Sequence, residues 1–166
     1  SYIDEARTLF LSELEKTDEV ILLHADAVGL TNLADYREGN TYKSEEIAKK
    51  LKLTGVHAVV EGIVKDISTV RRGDSVGLFR RVKAEIKAKV ELRLVSVRSG
   101  QVMMTEMREA DLSEKTTRVA ERSFTDKDLM DDPSAVQFVV EAAFEKTIPP
   151  LINALQKFSW EGRVAL

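Results

Sequence analysis

The sequence feature that most constrains this fold is the alternation of apolar and charged residues from Val82 to Val97. In VKAEIKAKVELRLVSV every second residue from Val82 to Leu94 is apolar, and the residues between them are charged. Side chains of a strand point alternately to opposite faces, so this period of two predicts one strand with a buried face and a wet face. Ser99-Gly100 then predicts a hairpin turn, after which Val102–Arg108 returns antiparallel.

The predicted strand is far longer than usual. At about 3.3 Å per residue it would run roughly 50 Å, whereas ordinary strands reach about a third of that length. We therefore expect part of it to project beyond the domain or to bend at a bulge. A projecting ribbon favours contact with another molecule.

The composition limits the classes of protein to consider. The 166 residues suffice for one domain with a core, and 32 % of them are charged. A net charge of −3 gives no overall attraction to nucleic acid. The sequence contains no cysteine, which excludes disulfides and thiolate metal sites within it. No apolar run approaches the roughly 20 residues of a membrane helix.

Patterns in the first third predict two helices and one short strand. Apolar residues at helical spacing between Ala6 and Leu14 predict the first helix, and the apolar run Val20–Leu23 predicts a strand. The polar stretch Asp26–Thr41 predicts a connecting loop. Ser44, followed by two glutamates, begins a second helix, which Gly55 closes. Its inward-facing residues are expected to be Ile47, Ala48 and Leu51.

Two further strands and a hairpin turn are predicted around the long strand. Val56–Val64 is apolar on both faces, as expected of a central strand covered on both sides. Ser68–Phe79 contains glycines and charges and predicts the turn that leads into the long strand. Thr116–Phe124 is mostly polar and predicts a strand near an edge.

The last part of the chain predicts an interrupted helix and a strand. Asp132-Pro133 combines a capping carboxylate with a proline at the first helical position. Pro149-Pro150 must break or kink this helix, because proline lacks the N–H donor and clashes with the preceding turn. Ser159–Leu166 is interpreted as the first strand of a further domain.

The residues that carry catalysis are scarce in this sequence. His24 and His57 lie in apolar, strand-like runs, where core or strand positions explain them better than catalysis. Carboxylate pairs lie where helices begin or at their surfaces, and three methionines (Met103, Met104 and Met107) suit core filling. No nucleophile, base and orienting group assemble, so we predict that the protein is not an enzyme and has no cofactor or metal site.

The single local concentration of positive charge surrounds an aromatic residue in the predicted hairpin. Its members are Arg71, Arg72, Phe79, Arg80, Arg81 and Lys83. One interpretation is a solvated hairpin tip. The other is a docking surface for a neighbouring subunit, an acidic partner or lipid headgroups. The arginines interrupt the apolar stretch that a membrane-crossing strand needs, so these residues are candidates for a protein interface.

Two stretches of the chain resemble the CsgG family of curli assembly/transport lipoproteins and their periplasmic relatives. They are Leu53–Gly62 (LTGVHAVVEG) and Val90–Val102 (VELRLVSVRSGQV). The family pattern has a helix that ends in glycine, then a strand, and later a hairpin with a Thr-Gly turn. His57 and Ser96 stand where the family has acidic residues, and Ser99 replaces threonine. The resemblance extends from about Leu9 to Leu155.

The resemblance implies an α/β (α+β) domain. Its mixed, largely antiparallel sheet would be flanked by helices and carry a long protruding β-hairpin. We assign this domain to residues 1–158, with its first strand missing before Tyr2. Residues 159–166 would begin a truncated β-domain or tail. In the curli channel two hairpins enter the membrane. Their counterparts here, Ser68–Val82 and Ala110–Phe124, are short and charged, so pore formation is not expected of them.

The resulting functional prediction is a non-enzymatic periplasmic assembly domain associated with the outer membrane. It would serve a secretion or surface-appendage complex of the curli type by self-association into a ring and by docking to other envelope proteins. No nucleic acid partner is expected, and membrane contact would come only through segments absent from this chain. The alternatives are a lipoprotein-type activator of a cell-wall-synthesising enzyme and a periplasmic flagellar-ring component.

Overall fold

The computed structural model describes residues 2–17, 22–23, 25–39, 41–76, 79–119 and 133–165. For residues 71–84 and 113–119 it describes the backbone and its pairing. The elements are α1 (Tyr2–Glu15), β1 (Arg37–Glu38), β2 (Thr41–Tyr42), α2 (Ser44–Leu51), β3 (Ala58–Val76), β4 (Phe79–Ser96), β5 (Val102–Val119), α3 (Pro133–Glu145) and α4 (Ile148–Ala165). Helices and antiparallel strands both make substantial contributions, which confirms the predicted α+β class.

The centre of the main sheet is β4, the strand with the alternating pattern. The three long strands lie in the order β3-β4-β5, and both pairings are antiparallel. Five alternate side chains of β4 are at most 1 % exposed: Ile86, Ala88, Val90, Leu92 and Leu94. They define what we call the inner face. The residues between them define the outer face. The period of two therefore predicted both the strand and its buried side.

The inner face is covered by the helices α1, α3 and α4. Leu14 of α1 and Leu151 of α4 pack with Leu92 and Leu94. Val139 and Val140 of α3 belong to a neighbouring cluster with Ile86 and Ala88. Burial of such side chains contributes roughly 25 cal/mol per Å² of apolar surface. This packing holds the half of the long strands that contains Ile86–Leu94 of β4 against the helices.

A bulge in β3 keeps its apolar residues on the inner face. Val64 pairs with Val90, and the next inner-face pair is Ile67 with Ala88. Three residues of β3 thus span two residues of β4, and the register shift lies between Val64 and Asp66. Without the extra residue, the side chains beyond the bulge would change face. The sequence led us to expect either projection or a bulge in the strand Val82–Val97 itself, whereas this bulge puts its extra residue in the neighbouring strand β3.

The hairpin between β3 and β4 is longer than the sequence indicated. Ser68–Phe79 was expected to be a turn, yet β3 continues to Val76 and β4 begins at Phe79. Residues 77–78 lie outside the described residues. The arginines and glycine of this stretch pair regularly across the strands, because every residue from Asp66 to Val76 finds a register partner in β4.

Two other strand predictions need correction. Val56–Val64 was expected to form a central strand, but β3 is at an edge of the described sheet. The apolar outer side of β3 is explained instead by α2, which packs over Val59. The separate strand predicted at Thr116–Phe124 begins within β5, which runs without interruption from Val102 to Val119. Residues 120–124 lie outside the described range.

The end of the chain is helical where a strand was expected. The break at Pro149-Pro150 is confirmed, because α3 ends at Glu145 and α4 begins at Ile148. Both prolines lie in the first turn of α4, where their missing N–H groups cost no intrahelical bond. The helix α4 then continues to Ala165, which corrects the strand predicted at Ser159–Leu166. The domain boundary after residue 158 stays a prediction.

The first part of the chain tests the predicted loop, the predicted short strand and the positions of the two histidines. The loop at Asp26–Thr41 contains two short 3₁₀ helices and the start of the small β1–β2 hairpin. Half of the strand predicted at Val20–Leu23 lies outside the described residues, as does His24, and the described Leu22 and Leu23 do not belong to a strand. His57 is exposed and lies immediately before β3, where its carbonyl accepts a hydrogen bond from the N–H of Val97, so of the two expected positions the core one does not apply.

Gly62 is required where β3 meets α3. A Cβ atom added to Gly62 would lie 3.1 Å from Cε1 of Phe144. We expect Gly62→Ala to reduce the free energy of unfolding by about 1–3 kcal/mol, because the ring must shift within a packed core. Urea unfolding followed by circular dichroism measures the change. In a Phe144→Leu background the added methyl group should cost less, and an equal cost in both backgrounds would contradict the steric explanation.

Candidate functional site

The outer face of the sheet is covered in part by α2. Ile47 and Leu51 of α2 pack with Val97 and Leu30, and Val59 of β3 lies against the same cluster. The short helix forms because Ser44 begins it, two glutamates occupy its first turn and two lysines its last turn. Its buried residues Ile47, Ala48 and Leu51 are those that the sequence predicted. α2 thereby forms a cap over one end of the outer face.

Beside α2 the outer face holds a buried polar network. The Ser44 hydroxyl donates to Oε1 of Glu61 at 2.8 Å, and Glu61 is only 4 % exposed. Arg93 lies opposite Glu61 in the strand register. Nε of Arg93 is 3.5 Å from Oε1 of Glu91, whose Oε2 is 2.8 Å from Nζ of Lys65. The network thus links α2 to the two strands beneath it.

The two carboxylates of this network have opposite pKa shifts. Burial raises the pKa of Glu61 above its ordinary value of 4.5, although the Ser44 hydrogen bond and Arg93 act in the other direction. Burial alone would also raise the pKa of Glu91, but Lys65 and Arg93 outweigh it and lower that pKa. Oε2 of Glu61 has no hydrogen-bond partner among the described residues. Ionisation of Glu61 is therefore disfavoured in the folded protein, whereas ionisation of Glu91 is favoured.

This network supports structure better than catalysis. Each charged group is engaged with a neighbour in the sheet or in α2, and the Ser44 hydroxyl is held by Glu61 in a contact that fixes the start of α2 on the sheet. In the part of the chain that the structure describes, no group of three or more histidine, cysteine or acidic side chains is placed to hold a metal ion.

The predicted interface residues lie along the distal half of the β3–β4 hairpin. The register pairs Arg71 with Ala84, Arg72 with Lys83, and Val76 with Phe79. Arg80 and Arg81 pair with Ser75 and Asp74. All six candidates are thus strand residues of one hairpin. They do not share one face, because successive residues of a strand alternate between faces.

The strand β5 adds residues to this region that sequence reasoning missed. It pairs with β4 as far as Val119, so Lys115 lies opposite Lys83 and Arg118 opposite Arg80. The distal ribbon, defined as residues 70–76, 79–85 and 113–119, therefore has three strands. Finding these residues requires the pairing of β4 with β5. The Ser99-Gly100 turn predicted from the sequence fixes where that pairing begins, and counting back from it would have placed Lys115 and Arg118 near the hairpin.

Two of the three methionines in β5 are not core residues. Met103 and Met107 are 42 % and 41 % exposed, whereas Met104 packs against the cluster of Leu92 and Leu94. The core prediction is thus correct for Met104 and wrong for the other two. Within the described residues, no helix is both long and apolar enough to cross a membrane.

Comparison with known proteins identifies a family. A comparison with curated proteins gave no match. A family model described as "Curli production assembly/transport component CsgG" matches residues 30–165, which include the cap helix α2, all three long strands and the helices α3 and α4. The match covers most of the chain and agrees with the resemblance seen in the two sequence motifs. The chain therefore belongs to the CsgG family.

Proposed function

We propose that this chain is a non-enzymatic assembly domain of an outer-membrane-associated secretion or surface-appendage complex of the curli type. It would work in the periplasm by self-association and by docking to other envelope proteins. Membership of a family described as an assembly/transport component supports the general role. The polar network, which is engaged in holding α2 to the sheet, offers no support for catalysis.

The observation that carries this proposal is the three-stranded ribbon. The described core clusters reach Ile86 and Leu112, but β4 continues to Phe79 and β5 to Val119. Seven further residues of β4 correspond to roughly 23 Å of strand. Extending three paired strands so far contributes little to the described core. A ribbon of this kind is suited to contact with another subunit.

An edge of this ribbon offers a specific means of self-association. Among the described residues, β3 has β4 on one side and no strand on the other. An unpaired edge presents N–H and C=O groups that accept a strand from another chain. Self-association through this edge would place the candidate residues Arg71 and Arg72 at or beside the contact.

The test is the mass of the protein in solution, measured by light scattering over a wide range of concentration. We expect the mass to exceed that of the monomer and to reach a defined multiple. A matched pair of variants, Ser68→Pro and Thr69→Pro, then tests the edge, because successive residues of a strand direct their N–H groups to opposite sides. One of the two should reduce association while it retains the strand pairing. A monomer mass at every concentration would contradict the proposal and would favour an enzyme-activator role.

A further inference from the structure

The structure assembles a basic surface at the end of the sheet opposite the distal ribbon. At this end β3 begins, β4 ends and β5 begins. Two loops form it: residues 52–57, between α2 and β3, and residues 97–101, between β4 and β5. The loops lie side by side, because the N–H of Val97 donates to the carbonyl of His57 at 3.0 Å.

Four exposed cations lie in these loops or next to them. Lys49 and Lys50 occupy the last turn of α2, Lys52 follows the helix, and Arg98 lies in the second loop. Within the described part of the chain, none of the four forms an ion pair. Four other lysines each have a carboxylate at 2.8–3.9 Å: Lys43, Lys65, Lys87 and Lys89. We call Lys49, Lys50, Lys52 and Arg98 the basic end.

Carboxylates border the basic end without pairing with it. Residues 47–60 and 92–105 contain three lysines, two arginines and no aspartate or glutamate. Glu45 and Glu46 occupy the first turn of α2, and Glu45 lies beside the second loop. On the inner side of the sheet, α1 ends with Glu13 and Glu15, and Glu13 pairs with the lysine that follows the helix at 2.7 Å.

Helix electrostatics accounts for only part of this charge. Lysines in the last turn of α2 complement the helix dipole, and Nζ of Lys50 lies 5.7 Å from the centroid of the Tyr36 ring. The exposed Asp35, next to Tyr36 in the chain, forms no ion pair with Lys50 in the described structure. Neither role explains Arg98, or the apolar residues that share this end of the domain.

Exposed apolar side chains lie among the cations. Leu53 is 99 % exposed, and Val102 and Met103 at the start of β5 are exposed as well. Both the N–H and the hydroxyl of Thr54 donate to the carbonyl of Leu51, at 3.0 Å and 2.6 Å. These bonds fix the turn that holds Leu53 in water. The end of the domain therefore combines a basic surface with an apolar side chain that the fold itself does not bury.

This combination favours a membrane surface over a protein surface. Lysine is depleted in protein interfaces, and leucine is under-represented among the residues that dominate their binding energy. At a lipid surface, by contrast, lysine and arginine remain hydrated beside anionic headgroups while a neighbouring apolar side chain enters the interface. Lysine stems can also lie along the apolar layer while their charged ends stay in the polar one.

We propose that the basic end binds an anionic membrane surface, with Leu53 entering the interface and the four cations against the lipid phosphates. Each cation near such a surface strengthens binding by roughly fivefold. A single copy would therefore bind reversibly, and an assembly of several copies would bind much more tightly. The sequence indicated membrane contact only through segments absent from this chain. The basic end adds a contact that the chain itself provides, beyond the assembly role proposed above.

Sedimentation of the full chain with vesicles provides the test. Vesicles of phosphatidylcholine with phosphatidylglycerol are compared with vesicles of phosphatidylcholine alone, at low salt. The variant Lys49→Gln/Lys50→Gln/Lys52→Gln should bind the anionic vesicles at least about tenfold more weakly than the parent protein. The matched control Arg7→Gln/Lys87→Gln/Lys157→Gln removes three charges from exposed positions on α1, β4 and α4 and should stay within about threefold.

Two further variants separate charge from structure. The charge-conserving variant Lys49→Arg/Lys50→Arg/Lys52→Arg should bind like the parent protein. Leu53→Ala should weaken binding to the anionic vesicles by about fivefold, because it shortens the side chain that enters the interface. The exposed Leu53 has no partner in the core, so its replacement decides the question even if the glutamine variant is unstable.

The outcomes that would overturn the proposal are distinct. They are equal binding by the parent protein to both kinds of vesicle, an equal loss in the matched control, or full binding by Leu53→Ala. Loss of binding in Arg71→Gln/Arg72→Gln, with binding retained in the lysine variant, would assign the contact to the hairpin instead. Binding to poly-L-glutamate without binding to vesicles would indicate an acidic protein partner. If the parent protein assembles in light scattering but does not bind the anionic vesicles, the membrane inference fails while the assembly function stands.

Discussion

Replacement of Leu94 by alanine is expected to lower the free energy of unfolding by about 3–4 kcal/mol. Leu94 lies on the inner face of β4, is 0 % exposed, and packs with Leu14, Leu92 and Leu151. These partners come from α1, β4 and α4, so the cavity would lie where three elements meet. Urea unfolding monitored by circular dichroism, with a linear extrapolation, measures the loss.

Leu53 provides the matched control for this prediction. It lies in the turn after α2 and is 99 % exposed. Leu53→Ala removes the same atoms but should change the free energy of unfolding by less than about 0.5 kcal/mol. Similar losses in the two variants would show that Leu94 does not lie in the principal core.

Replacement of Glu91 by glutamine is expected to cost about 2–4 kcal/mol at neutral pH. The side chain of Glu91 is 9 % exposed and forms two ion pairs. Its Oε2 lies 2.8 Å from Nζ of Lys65, and its Oε1 lies 3.5 Å from Nε of Arg93. The amide keeps the shape but leaves two partly buried cations without their counter-charge. The destabilisation should be measured by urea unfolding at several pH values.

The pH dependence gives this prediction a direction. The folded pKa of Glu91 is lowered, so its stabilising contribution is present above the ordinary pKa of 4.5 and is lost as the pH falls through the folded value. The difference between the parent protein and Glu91→Gln should therefore shrink on acidification below about pH 4.5. A constant difference from neutral pH to strong acid would show that the ion pairs are not its cause.

Glu61→Gln is the comparison variant, because the pKa of Glu61 is raised. A raised folded pKa means that the charge costs stability as the pH rises from 4.5 through the folded value. The amide keeps an oxygen acceptor for Ser44 without this charge. We expect Glu61→Gln to be neutral or stabilising at neutral pH. A loss of stability as large as that of Glu91→Gln would mean that Arg93 needs the negative charge of Glu61 as its partner.

The opposite behaviour expected of two neighbouring glutamates follows from their places in the sheet. Both lie on the outer face, but Glu91 is on the central strand between Lys65 and Arg93. Glu61 is on β3 beneath the start of α2, where its second oxygen finds no partner in the described structure. Sequence alone shows two similar acidic residues in apolar strands, and the neighbours on adjacent elements decide which of them is stabilised.

The elements that local periodicity specifies were predicted correctly. The inner face of β4, the buried side of α2 and the break before Pro149 each depend on residues near one another in the chain, where strand or helix geometry applies directly. The family resemblance also rests on short motifs, and the family model confirmed it. The candidate residues of the distal hairpin were found because they lie close together in the sequence.

What the sequence by itself determined is therefore the long amphipathic strand, the flanking helices, the family and half of a charged surface. The tertiary structure decided the length of the hairpin, the edge position of β3 and the extension of β5 to Val119. It also placed Lys115 beside Lys83, although 32 residues separate them in the chain. The physical reason is that cross-strand register depends on turns and bulges, and a shift of one residue moves every side chain to the other face.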